Sequence, residues 1–142
     1  MGGKGDTHQV AALPVRTGAN ARPEVLLITS RERHRWIIPK GWPMKNRSDA
    51  EAAETEAFEE AGLIGKMEKA PIGSYEYVKI DDAGNGKPCR VDVYVMNVTD
   101  RHKTWPEQGE RMDLWVDIDE ALIILDEPDL AALLERVRGK LG

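Results

Sequence analysis

The chain has a single cysteine, Cys89, among its 142 residues, so no internal disulfide can form. A packed core must hold the fold, and a reducing, cytoplasmic setting is expected. Histidine is also scarce. His8, His34 and His102 are scattered and give no zinc-type spacing. No apolar run approaches the roughly 18 residues of a membrane-spanning helix, and Met1 to His8 contains no apolar signal core. No membrane partner is therefore expected. Positive charge is in deficit, with 20 Lys and Arg against 25 Asp and Glu and a net charge of −5. That balance argues against a protein that binds a nucleic-acid polymer by broad phosphate neutralisation. It leaves room for a small phosphorylated ligand held by a few local cations.

What is present fits one globular domain spanning residues 1–142. A hydrophobic share of 41% and a charged share of 32% are ordinary for a folded domain of this size. Gln9 to Arg16 reads as a strand, Thr17 to Pro23 as a turn, and Glu24 to Thr29 as a buried strand, so the two strands can pair as a hairpin. Arg31 to Arg35 forms a cationic loop, and Trp36 to Pro39 is a short extended piece. Ser48-Asp-Ala-Glu51 is a capping box that opens a helix, and Gly62 ends it. Ala50, Ala53, Ala57 and Ala61 share one stripe of this helix, which implies close packing on a sheet. A strand is expected within 65–80, a turn at 81–86, a strong strand at 90–98 and a polar loop at 99–110. A short strand at 114–116, a short helix at 117–125 and an amphipathic helix at 128–141 complete the chain. Tight turns between successive strands point to an α/β (α+β) fold with a mixed sheet between helices, and away from a doubly wound parallel sheet.

The central helix carries Glu56, Glu59 and Glu60 at i, i+3 and i+4. Glu56 and Glu60 are expected to project away from the alanine stripe, with Glu59 flanking them. Like charges at this spacing weaken a helix by roughly 0.2–0.5 kcal/mol per pair. A divalent cation would offset that repulsion, and oxygen ligands suit Mg²⁺ or Mn²⁺ far better than Zn²⁺. A solvated acidic face is the other reading of the three glutamates by themselves.

The stretch from Gly41 to Leu63 resembles the signature of the Nudix hydrolases: Gly, five residues, Glu, seven residues, then Arg-Glu-apolar-any-Glu-Glu-any-Gly-apolar. Gly41, Glu56, Ala57, Glu59, Glu60, Gly62 and Leu63 stand at the matching positions. Trp36-Ile-Ile-Pro39-Lys40 and the later strand order are also similar, so the resemblance covers most of the chain. It implies a Nudix-type α/β/α sandwich. It also implies one to three Mg²⁺ or Mn²⁺ ions on Glu56, Glu59 and Glu60, joined by the carbonyl of Gly41 or its neighbour. Water then attacks phosphorus in a diphosphate, with Glu56 as an alternative base. An acid outside the box, Glu110 in preference to Glu107, would complete the site. Lys40, Arg31, Arg33, His34, Arg35 and Arg90 are the candidates for substrate phosphates, and Trp42 or Tyr75 for stacking on a base. Two positions depart from the pattern. Arg47 replaces the signature Glu, and Thr55 the signature Arg, a pair that braces the loop in the family. Losing both leaves no unpaired charge, and Arg47 is expected to pair with Glu51 instead.

Within the family the chain looks most like the diphosphoinositol polyphosphate and diadenosine polyphosphate hydrolases. Glu24-Val-Leu-Leu-Ile, Arg35-Trp-Ile-Ile-Pro39 and Glu59-Glu-Ala-Gly-Leu-Ile-Gly65 carry that likeness, with Val93-Tyr-Val, Trp105, Arg111 and Trp115. MutT-like cleavage of nucleoside triphosphates, ADP-ribose cleavage and a catalytically weak nucleotide-sensing module remain open. The expected partner is a small phosphorylated substrate, and the protein a monomer or homodimer.

Overall fold

The two N-terminal strands do form a hairpin in the computed structural model, which describes residues 8–141. β1 (His8–Thr17) and β2 (Pro23–Thr29) run antiparallel, with Val15 opposite Val25. Two short strands follow, β3 (Trp36–Ile37) and β4 (Lys40–Gly41). β3 pairs with β2. β4 pairs with β1 and sets Gly41 opposite Val10. α1 (Asp49–Ala61) then crosses over the sheet.

The segment expected to hold one strand at 65–80 contains two, β5 (Leu63–Met67) and β6 (Gly73–Ile80). Both pair antiparallel with β7 (Gly86–Arg101), a single 16-residue strand that also runs parallel to β1. β5 takes the C-terminal part of β7 and β6 the N-terminal part. Pro71, which lacks a backbone N–H, lies in the break between them. The polar loop expected from Thr99 therefore starts later, because Asp100 and Arg101 are paired with Ile64 and Leu63. The register of β5 shifts between Ile64 and Gly65. A side chain at Gly65 would run into the Asn97 carbonyl, so the bulge needs glycine. β8 (Asp113–Asp117) pairs with β2 and completes an eight-stranded mixed sheet.

Alternation along the strands divides the core into two layers. Ala11, Leu13, Val15, Val91, Val93 and Val95 face α2 (Ile118–Ile124) and α3 (Pro128–Val137). Val10, Ala12, Tyr94 and Met96 face the alanines of α1, where Ala52 joins the expected stripe. The result is the expected sandwich, with α1 on one face and α2 and α3 on the other. The C-terminal helix is shorter than 128–141. It stops at Val137, and Arg138–Lys140 form a 3₁₀ turn. Among the described residues, no helix is long and apolar enough to cross a membrane.

Candidate active site

α1 is fixed at both ends by local chemistry. The Ser48 hydroxyl accepts from the Glu51 amide at 3.1 Å, and the Glu51 carboxylate accepts from the Ser48 amide at 2.9 Å. Glu51 is thereby engaged, and it is not the partner of Arg47. The Arg47 guanidinium donates instead to the Thr55 hydroxyl at 3.3 Å, while Thr55 donates to the Glu51 carbonyl at 3.0 Å. The two residues that depart from the signature thus touch each other and tie the loop to the helix. At the other end Gly62 adopts φ 71°, and its N–H donates to the Phe58 carbonyl at 2.8 Å. A side chain there would strike the Trp105 ring.

The carboxylates of α1 do not form a solvated ridge. Glu60 is only 8% exposed, because its turn of the helix lies under the loop that carries Glu107 and Arg111. The Glu107 amide of that loop donates to the Glu59 carbonyl at 3.0 Å. Burial pushes the Glu60 carboxyl up to about 8 against the pull of Arg111, and the neighbouring Glu56 acts in the same direction. Burial also raises Glu56, and the negative charges of Glu59 and Glu107 add to the effect. Glu56 rests on Gly41, where any Cβ would collide with its carboxylate. The pairing of β4 with β1 produces that approach. Glu56 and Glu60 line a cleft of about 540 Å³, but Glu59, half-buried, does not.

Arg111 organises the outer wall of the site. It donates to Glu107 at 2.9 Å through both Nε and Nη2, and to the Thr29 carbonyl at 3.1 Å. Its Nη2 lies 3.9 Å from Glu60. Glu107 lines the cleft. Glu110 does not: it sits half-exposed on Arg31, 3.0 Å from Nη1. Arg31, Arg33, Arg35, Lys40, Lys79 and Trp42 contribute to the cleft, with Trp42 45% exposed. His34 is exposed and is not part of its lining.

Two expected contributors lie elsewhere. Arg90 is mid-strand, because β7 begins four residues earlier at Gly86, and it pairs with Asp92 at 3.3 Å outside the cleft. Tyr75 is 4% exposed in the core under α3 and offers no stacking face. Sequence spacing also hid a grouping of His8, Asp49 and Asp92, whose ligand atoms lie within 4.8 Å of one another. Asp92 is already engaged there, by His8 Nε2 at 2.8 Å and by Arg90 at 3.3 Å. Tyr77, Gln9 and Glu127 also line the cleft without any motif to announce them.

An all-oxygen donor set of two adjacent carboxylates with raised proton affinity, beside a side-chain-free backbone, fits a hard divalent cation. Glu56 and Glu60, with Glu59 and the Gly41 backbone at hand, are the residues that could hold it.

The profile of the NUDIX domain matches residues 7–137. Nudix hydrolase 13, mitochondrial, of Arabidopsis thaliana is 34% identical over 104 residues, covering 70% of this chain and 52% of the plant protein. The chain thus spans about half the length of that relative. Diphosphoinositol polyphosphate phosphohydrolase 3-beta of Homo sapiens is 31% identical over 121 residues, covering 81% of this chain and 69% of the human protein. Among solved structures, the Caenorhabditis elegans Ap4A hydrolase superposes with a TM-score of 0.69 at 19% identity, covering 96% of this chain and 99% of that one. A NUDIX hydrolase from Nitrosomonas europaea gives 0.73 at 19% identity, covering 96% and 90%. The solved structures establish the fold alone. The profile, which runs through both core layers and the whole box from Gly41 to Leu63, establishes that this chain belongs to the Nudix family.

Proposed function

We propose that the protein is a metal-dependent pyrophosphohydrolase acting on a nucleoside or inositol polyphosphate. The observation that carries the reading is the Glu56 carboxylate, resting on Gly41 and in contact with Glu60, in a cleft also lined by Arg31, Arg33, Arg35 and Lys40. Mg²⁺ or Mn²⁺ bound there would neutralise the diphosphate and make water more acidic. Glu56 and Glu60 would hold the ion, with Glu59 in support. Lys40, Arg35 and Arg33 receive the outer phosphates. Water adds to phosphorus, the anhydride P–O bond breaks, one phosphate fragment leaves, and a cleft carboxylate takes the water's proton. Glu107 is the acid outside the box, in place of Glu110, because it faces the cleft and is held by Arg111 beside Glu60. The Arg47–Thr55 contact favours an intact loop over a decayed one. A catalytically weak sensor is thereby disfavoured. The buried thiol of Cys89 is consistent with a cytoplasmic enzyme.

Diadenosine polyphosphates, inositol pyrophosphates, ADP-ribose and nucleoside triphosphates, incubated with and without Mg²⁺ or Mn²⁺, test the reading. Turnover of at least one, abolished by chelation, is expected. Measurable binding with no turnover of any would leave the sensor in its place.

A further inference from the structure

A group of metal-type ligands lies outside the cleft. His8 opens β1, Asp92 stands in β7 and Asp49 begins α1. Parallel pairing sets His8 opposite Arg90 and Val10 opposite Asp92, so His8 and Asp92 share the face of the sheet that α1 covers. The ligand atoms of His8, Asp49 and Asp92 lie within 4.8 Å of one another. None of these residues lines the cleft, and Asp49 stands about 10 Å before Glu56 along α1.

The surroundings favour an ion over a bare acidic surface. Asp49 faces Asp92, yet its carboxylate makes no hydrogen bond or ion pair with the described residues. Tyr94, on the same face of β7 as Asp92, is 6% exposed, and its hydroxyl has no hydrogen-bond partner among the described residues. Burial raises that hydroxyl above its ordinary value, and the charges of Asp49 and Asp92 add to the effect, so it is aimed at the two carboxylates. A buried side chain with a spare polar end beside two carboxylates marks a place for an added group. His8 Nε2 lies 2.8 Å from Asp92 Oδ2. Neighbouring ligands of one ion, each about 2.1 Å from it, stand about 3 Å apart, so this pair is already spaced to share one. Opposite ligands stand at most about 4.2 Å apart, so Asp49 must close by less than about 1 Å, within the reach of a side-chain adjustment. Arg90 holds Asp92 Oδ1 at 3.3 Å and leaves Oδ2 to the ion, as an orienting partner.

An imidazole with two carboxylates is a mixed nitrogen and oxygen donor set. It suits Zn²⁺ or Co²⁺, whereas Mg²⁺ keeps to oxygen ligands and dehydrates reluctantly. We propose that His8, Asp49 and Asp92 form a divalent transition-metal site, distinct from the Glu56–Glu60 pair, that takes Zn²⁺ or Co²⁺. The ion ties the start of β1 and the middle of β7 to the first turn of α1. It thereby fastens the helix at the end where the loop from Gly41 arrives. The site does not depend on the phosphoanhydride reading of the cleft.

The experiment titrates Zn²⁺ into the Glu60→Gln chain, in which the cleft pair is disabled, by calorimetry in millimolar Mg²⁺, and follows thermal unfolding in parallel. One Zn²⁺ should bind and raise the unfolding temperature. His8→Ala and Asp49→Asn, each introduced into that chain, should weaken Zn²⁺ binding at least tenfold and remove the rise. Asp49→Asn keeps the shape of the side chain and carries the test if His8→Ala does not fold. His102→Ala, which removes a histidine outside the group, should bind Zn²⁺ as Glu60→Gln does. No Zn²⁺ binding by Glu60→Gln, undiminished binding after Asp49→Asn or His8→Ala, or an equal loss after His102→Ala would each overturn the proposal. Absence of turnover on every polyphosphate would count against the enzyme reading and leave this assignment standing.

Discussion

Gly41 earns its place through what it lacks. Its missing Cβ is the space into which the Glu56 carboxylate fits. The atoms that an alanine would displace are the far end of a flexible side chain, so the backbone can stay where it is. Gly41→Ala should therefore damage the site more than the fold. Its unfolding temperature is expected within a few degrees of wild type, because the substitution also removes glycine's extra unfolded-state freedom. Its kcat/KM should fall at least tenfold, since a carboxylate displaced by an ångström no longer holds its ligand. Parallel calorimetry and kinetics would check this. A large stability loss with proportionate activity loss would assign Gly41 to the strand pairing alone. The box from Gly41 to Leu63 announced this residue and all three glutamates. It did not announce that Glu60 would be buried, because its burial comes from the loop 40 and more residues later that carries Glu107 and Arg111. Glu127 was illegible for a similar reason. A glutamate before Pro128 looks like any helix entry until the sheet brings it to the cleft.

At the scale of elements, local signals were read correctly where the chain decides its own conformation. The capping box, the Gly62 terminus and the β1–β2 hairpin are of this kind. They failed where a partner strand decides. The length of β7 is set by β5 and β6, which divide it between them, and Arg90 left the site as a consequence. The loop brace is an intermediate case. Sequence showed that the usual pair was gone, and the structure shows Arg47 donating to Thr55 in its place. A hydrogen bond on the surface is worth about 0.5–1.5 kcal/mol at most, so the brace should matter to the loop more than to global stability. Restoring the signature pair tests it. Thr55→Arg alone sets two guanidiniums together, and Arg47→Glu alone sets a carboxylate near Glu51, so each single variant should raise KM severalfold. The double variant R47E/T55R should recover wild-type KM, with a favourable coupling of about 0.3–1 kcal/mol in the unfolding cycle. Additive losses in the double variant would show that the loop is held by something else.

At the scale of the whole molecule, the two carboxylates under one loop are expected to make stability depend on pH and, under the proposed function, on a divalent metal. The Glu60 carboxyl titrates near 8 in the folded chain against an ordinary value of 4.5. Between those values the native state keeps a proton that the unfolded state releases. Stability of the metal-free protein therefore falls as pH rises from about 4.5 to about 8, and the loss is complete above the folded value. Glu56 and Glu127, both raised mainly by burial, contribute with the same sign. A divalent cation competes with the proton for the same oxygens, so millimolar Mg²⁺ or Mn²⁺ should raise the unfolding temperature little near pH 5 and most near pH 8. Glu60→Gln replaces the protonated acid by a neutral group of similar shape. It should remove most of the pH slope, leave the metal-free protein at least as stable as wild type near pH 8, lose the metal-dependent gain and abolish turnover. Calorimetric scans of both proteins across this range, with and without metal, separate the possibilities. An unchanged slope in Glu60→Gln would move the titrating load elsewhere. A metal-dependent gain that survived in Glu60→Gln would place the ion on other ligands, and the His8, Asp49 and Asp92 grouping would be the next to mutate.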